Sequence, residues 1–496
     1  MSLKQLAGQT AIYGLSSILS RILNYVVMTF YLTGVFPREE YGVVSEMYAY
    51  VALLMVFFTF RMETAFFRFG SKPGYLDQAF STASIMLSFT TLFFTGLLVW
   101  GAPTLGRLLD TTNYENYILW FAFVIAMDTL AAIPFAQLRL TNRPIKFAAL
   151  KTINILVNIA SIFFFLGILP DLDGNQWTSV FSYDETDRIK YVFIANFLGS
   201  AATFLLLIPE YFKVKLKFDI ALFKLMLSYS WPLVIVGFAA VVNQQLNIPL
   251  VKFLSTDNEE IAKVVVGEYS ACFKIAMLMS LAIQAFNYAA EPFFFRNMDR
   301  EDARSVYAQV GQAFALTGSF IFLGIALYLD IFKYLIRDPD YWIALGVVPI
   351  LSLAFFFLGL YYNFSIWFKL RDKTIFGAYI SVGGSILTLV LNFALIPKIG
   401  YYGAAYSALA CYMFMTAASY LTGQRYYPIP YPIGKMILYI VLAVGVYLIS
   451  DQLFIHFDYT TTIKLLVNTG LFLTYVSLIA IVEKEVISRY RTKPAP

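Results

Sequence analysis

Apolar runs of about 20 residues follow one another along the whole chain, separated by short stretches that hold most of the charge. A helix of that length crosses a bilayer whose hydrocarbon core is about 30 Å thick. Fourteen such runs can be read: 10–34, 42–60, 79–101, 117–138, 152–169, 191–209, 226–251, 267–290, 310–332, 342–368, 375–397, 402–422, 436–455 and 465–482. Inside them apolar and polar positions do not alternate, as F-T-T-L-F-F-T-G-L-L-V-W from Phe89 to Trp100 illustrates. A membrane barrel needs that alternation, and lipid offers no water to an open backbone, so the runs are helices. The expected fold class is an all-α polytopic membrane protein with about 14 transmembrane helices.

Composition agrees. Of 496 residues, 59% are hydrophobic and 14% charged, against about 25% charged in a soluble domain. The two cysteines, Cys272 and Cys411, lie in apolar runs, and His456 is the single histidine. No disulfide framework, metal site or haem is expected from that set. The N-terminus, M-S-L-K-Q-L-A-G-Q-T, leads into the first run without a small-residue cleavage site, so it reads as a retained helix. There is no P-loop and no G-x-G-x-x-G, which argues against an ATP-driven pump or a dinucleotide enzyme. The largest outer loop, 171–190, is short for a sugar polymerase or ligase.

Charge placement sets orientation. With fourteen runs, 24 Lys and Arg fall on the N-terminal side, 10 on the other and two, Arg21 and Lys274, within runs. The rich side is cytoplasmic, so both termini are expected there.

One hexapeptide recurs. E-T-A-F-F-R (Glu63–Arg68) closes the second run and E-P-F-F-F-R (Glu291–Arg296) the eighth. Both runs open near a glycine, Gly42 and Gly267, with Ser45 and Ser270 three residues later. Runs 1–6 and 7–12 therefore read as parallel copies related by an axis along the membrane normal. The lobes expected are 1–222 and 223–425, around a central cavity, with 426–496 appended as two further helices and a tail.

Several polar residues fall where lipid should exclude them. Arg21 lies about 12 residues into the first helix, roughly 18 Å deep, where an arginine costs about 2.5–3.5 kcal/mol. It either grips phosphate oxygens with its two parallel donors or forms a salt bridge to Glu46 or Asp128; Asn24 shares its face. Lys274 and Glu46 either pair and close an outer gate, or snorkel to the interface; Lys274 could also meet an anion directly. Glu63 with Arg296, and Glu291 with Arg68, are expected as reciprocal inner-gate pairs, the alternative being local pairing. Asp128 is a buried carboxylate suited to a proton or sodium ion, or a structural partner of Arg139 or a neighbouring helix. Asn243, Gln244, Gln245 and Asn247 suit sugar hydroxyls or a sodium ion, or glue helices together, and Asn363, Asn154 and Asn158 are similar. Pro232 and Pro249 permit a bend in the seventh run. Lys213, Lys215 and Lys217 are expected against anionic headgroups.

The S-R at Ser20-Arg21, the Y-G at Tyr41-Gly42, the two E-x-x-F-F-R ends, G-E-Y-S-A-C-F-K (Gly267–Lys274) and Y-G-A-A-Y-S-A-L (Tyr402–Leu409), in a 6+6+2 topology, resemble Wzx-type polysaccharide flippases. These belong to the MATE-like (MOP) superfamily and are related to the lipid II flippase. The resemblance implies a non-enzymatic, monomeric transporter of the bacterial inner membrane. It would move an undecaprenyl-pyrophosphate-linked oligosaccharide outward, coupled to a sodium ion or proton, alongside a polysaccharide polymerase and chain-length machinery. It also implies that Arg21, in the matching S-R, meets pyrophosphate, although the second arginine of the related helix is absent; with such a substrate, pyrophosphate would be the anion that Lys274 could meet. An antiporter of drugs or cations is the alternative on the same fold, and a cationic cavity weighs against it.

Overall fold

The computed structural model describes residues 25, 27–109, 114–172, 183–212, 215, 217–298, 300–371, 373–456 and 459–483. Among them there is no strand. The principal helices are α1 (Arg38–Thr59), α2 (Met62–Gly70), α3 (Leu76–Leu108), α4 (Tyr114–Leu140), α5 (Pro144–Phe163), α6 (Ile189–Phe212), α7 (Ile220–Gln245), α8 (Asn247–Ser255) and α9 (Glu259–Arg296). They continue as α10 (Ala303–Leu327), α11 (Val347–Phe364), α12 (Ile366–Leu370), α13 (Ile375–Ile399), α14 (Tyr401–Tyr426), α15 (Ile433–His456) and α16 (Thr461–Val482).

Twelve of the described helical stretches are long and apolar enough to cross a membrane. A further helix, α14, has crossing length but is rich in Ala, Ser, Thr and Tyr. The expected first span, 10–34, lies largely outside the described residues. The count of about fourteen is in keeping with this.

By packing, the chain divides into two compact units, Met1–Gly267 and Glu268–Pro496, and the division falls inside α9. It does not coincide with the 222/223 lobe boundary expected from the repeat, because α7 packs along α1 and α2 within the first unit.

In the first unit, Met62, Phe66, Phe69, Phe80, Leu222 and Met226 form a buried cluster joining α2, α3 and α7. A second cluster, with Phe135, Leu138, Leu150 and Leu207, joins α4, α5 and α6. Lipid tails are as apolar as these side chains, so the gain is close packing and interhelical bonding. The second run is not one straight helix. Phe60 and Arg61 have φ of 47° and 51°, which separates α1 from α2. Non-glycine residues in this left-handed region cost about 1–2 kcal/mol each.

In the second unit, α11 packs on α14, and α13 on α14. The last two helices are fixed to α10 by polar bonds. Asn468 donates to the Leu327 carbonyl at 2.6 Å, Ser450 bonds Asn468 at 2.6 Å, and Ser319 meets Tyr475 at 2.6 Å. Beyond α16, the nearly buried Glu483 accepts from Lys435 at 2.8 Å and Tyr439 at 2.6 Å. These last two helices pack on α10 and on each other within the second unit.

Candidate functional site

The strongest polar constellation among the described residues lies in the first unit, around Glu46. α1 begins after Pro37, and Glu39 and Glu40 in its first turn favour the positive helix end. Glu46 lies about 8 residues in, roughly 12 Å along the axis. Tyr50 sits four residues on, hence on the same face, and its hydroxyl donates to Glu46 Oε1 at 2.8 Å. Tyr114, at the start of α4, donates to Oε2 at 2.9 Å. Lys252 Nζ completes the set, 3.1 Å from both oxygens. It also donates to the Leu109 carbonyl at 3.1 Å and lies 4.9 Å from the centre of the Tyr114 ring. Side-chain exposure is 1% for Glu46 and 4% for Lys252.

This corrects one expectation: the cation that Glu46 takes is Lys252 and not Lys274. A seventh run ending at 251 leaves Lys252 in an outer loop. In the structure that run is two helices. α7 stops at Gln245, and α8 restarts at Asn247 and carries Lys252 inside. Pro249 explains the break. It has no N–H for the carbonyl four residues back, that of Gln245, and its ring crowds that carbonyl. The bend expected from Pro249 is therefore present, and a helix restarting after it was the signal for Lys252. Asn243 and Asn247 are buried on either side of the break, with Gln244 and Gln245 half-buried.

The N-terminal ends of α1 and α9 cross with almost no separation. A Cβ on Gly42 would lie 2.2 Å from the Lys263 carbonyl oxygen, and one on Gly267 would lie 2.0 Å from that of Arg38. The contact is reciprocal: each glycine meets the carbonyl four residues before the other. These are the two glycines that open the repeated runs, and the structure brings them face to face. Lys263 is held by Glu259 at 2.6 Å, one turn away.

At the other end of the second run, Glu63 pairs with Arg139 at 2.9 Å, both about half exposed. Arg68 lies over the Tyr229 ring, 4.3 Å from its centre. Each is thus engaged locally. Their expected partners, Arg296 and Glu291, lie in α9 with side chains outside the described residues. Arg61 projects onto α7 at Gly237, where a Cβ would lie 2.3 Å from the arginine Nε.

Asp128, on α4, lies near Ser200 of α6, and Lys151 of α5 supplies an opposing charge. Its side chain stays accessible. Asn154 donates to Thr203 at 3.0 Å, and Asn158, on the same face, is buried. Asn363, in α11, donates to the Gly359 carbonyl at 3.0 Å and is buried. Lys274 is half-buried in α9. Arg21 and Asn24 lie outside the described residues.

A family model described as "Polysaccharide biosynthesis protein" matches residues 6–298. No curated protein matches. Among solved structures, the lipid II flippase MurJ in an inward closed conformation is similar with a TM-score of 0.73 and 16% identity, over 96% of this chain and 99% of that one. An inward-facing multidrug resistance MATE family transporter of the MOP superfamily has a TM-score of 0.63 and 11% identity, over 84% and 94%. The Vibrio cholerae MATE transporter VcmN, in its bent form, has a TM-score of 0.56 and 14% identity, over 88% and 98%. At these identities the likeness is one of fold.

Proposed function

The chain belongs to the polysaccharide biosynthesis protein family, and from that membership we propose that it is a flippase for a lipid-linked oligosaccharide. The substrate is an undecaprenyl-pyrophosphate-linked glycan, carried from the inner to the outer leaflet of the bacterial inner membrane by alternating access. An inward proton or sodium gradient drives it.

The observation that carries this reading is the crossing at Gly42 and Gly267, backed by the buried Glu46–Lys252 pair. Two repeat-related helices in contact at their outer ends make a seal. A seal that rests on small residues can part and re-form as a unit, while the Glu46–Lys252 pair holds α8 against α1 beside it. The fold, seen also in a lipid II flippase, supports a lipid-linked glycan as cargo. Arg21 and Lys274 are the proposed pyrophosphate contacts, and Asp128 the proposed coupling carboxylate. Glu63, Arg68, Glu291 and Arg296 are proposed to exchange their local partners for one another when the inner end closes.

The test uses purified protein in liposomes carrying undecaprenyl-pyrophosphate oligosaccharide, with an imposed ion gradient. Exposure of the sugar at the opposite leaflet, lost in Arg21→Ala, is the expected result. No sugar movement, with gradient-driven export of cationic dyes instead, would reassign the protein to drug antiport.

A further inference from the structure

At the end of the first unit that the charge count makes cytoplasmic, a half-open cavity of about 710 Å³ lies between the start of α3 and the segment leading into α7. Asp77, Gln78 and Ser81 line it from α3; Lys215, Lys217 and Phe218 line it from the connecting segment. The segment is anchored: Ser81 Oγ donates to the Lys217 carbonyl at 2.7 Å, and the Asp219 N–H donates to Thr82 Oγ1 at 3.3 Å. Asp219 is committed to its own helix, accepting from the Leu222 N–H at 2.9 Å.

The other charges are uncommitted. Among the described residues, the side chains of Asp77, Lys215 and Lys217 have no hydrogen-bond or ion-pair partner, and the first N–H groups of α3 have no side-chain cap. Phe218 and Ile220, 39% and 63% exposed, border the same space. The connecting segment thus offers two ammonium groups, the first turn of α3 its uncapped N–H donors and the Asp77 carboxylate, and the rim two apolar side chains. Anion chemistry alone leaves Asp77 unexplained, and a soluble ligand leaves the apolar rim unexplained.

We propose that this cavity holds the headgroup of an inner-leaflet phospholipid of the phosphoethanolamine type. Its phosphate takes Lys215, Lys217 and the α3 N–H groups. Its primary ammonium donates to Asp77. The upper acyl chain lies on Phe218 and Ile220. Lys215 and residues 217–219, just before α7, are thereby tied to the membrane surface by a lipid the transporter does not move.

Native mass spectrometry of the purified full chain tests this, with phosphatidylethanolamine, phosphatidylcholine and phosphatidylglycerol offered at equal concentration. Phosphatidylethanolamine should be retained above the other two. The trimethylated head of phosphatidylcholine cannot donate to Asp77, and phosphatidylglycerol has no cation. Asp77→Asn should reduce its retention to the phosphatidylcholine level. Lys215→Ala and Lys217→Ala should each weaken retention about fivefold. Equal retention of the three lipids by wild type, or retention unchanged in all the variants, overturns the proposal. So does preference for phosphatidylglycerol, or displacement of the lipid by soluble glycerol phosphate. A variant that elutes as aggregate is replaced by Asp77→Ser or Lys217→Gln, at the same exposed positions.

Discussion

Glu46 is satisfied by three side chains from three helices, and its burial makes each of them matter. Removing one partner of a buried pair leaves an uncompensated charge, which costs roughly 3–5 kcal/mol. Lys252→Met alone should therefore lower the thermal midpoint of the purified protein sharply. Lys252→Met with Glu46→Gln should regain most of that loss, since the amide oxygen can still accept from one tyrosine while the amide N–H donates to the hydroxyl oxygen of the other. Fluorescence-detected gel filtration after heating reads both. No recovery in the double variant would mean that the lysine acts through Leu109 and Tyr114 more than through the carboxylate. At the two glycines the expectation differs. Gly42→Ala and Gly267→Ala each put a methyl group against a backbone oxygen that cannot swing away. Each should abolish sugar movement, and the double variant should be no worse than either, because one crossing is opened by any of them.

Among the elements, the second run shows where pattern reading stops. Its apolar span and the charged hexapeptide after it are plain in the sequence, and the structure ends α1 within one residue of the expected 60. The left-handed break at Phe60-Arg61 is not signalled, because neither residue is glycine, asparagine or proline. It is held from outside. Phe60 stacks on Trp231 with ring centres 6.0 Å apart, and Arg61 fills the space at Gly237. Local sequence carries no trace of partners about 170 positions away. Two substitutions separate conformation from contact. Arg61→Gly keeps the break available and should stay within about 1 kcal/mol of wild type, relief of the left-handed strain offsetting lost packing. Arg61→Pro fixes φ near −65° and should unfold the first unit at markedly lower temperature. Equal midpoints for the two would show that the break is incidental. Lys252 escapes the pattern for a related reason: proline followed by lysine reads as an exit from the membrane, whereas here the chain re-enters a helix. The polar residues of α5, by contrast, were legible, since Asn154 and Asn158 lie four apart and do share the face turned to α6.

For the whole molecule, topology was the most legible property, because twenty apolar residues in a row have few physical outcomes. The charge bias then predicts sidedness. Fusions of a fluorescent protein to either terminus should be bright, and alkaline phosphatase inserted near residue 185 should be active. The reverse pattern would invert the reading of every outer and inner site above. The repeat was legible as two glycines and two hexapeptides, and the glycines do meet. The division into units was not legible. Sequence symmetry assigns α7 to the second copy, while packing assigns it to the first unit. Copies record ancestry, whereas units record which surfaces fit.

The Glu46–Lys252 pair also bears on how the protein is made. Its two members are 206 positions apart. While the ribosome is still adding α3 to α7, the carboxylate of α1 is already in the bilayer with only tyrosines to hold it. Lys252 arrives as the last span of the first unit is inserted, and the charge is then neutralised. A nascent chain arrested before residue 252 should be more readily extracted and degraded than one arrested shortly after it. The ion pair would thus serve as a checkpoint of biogenesis, closing the first unit once its final helix is in place.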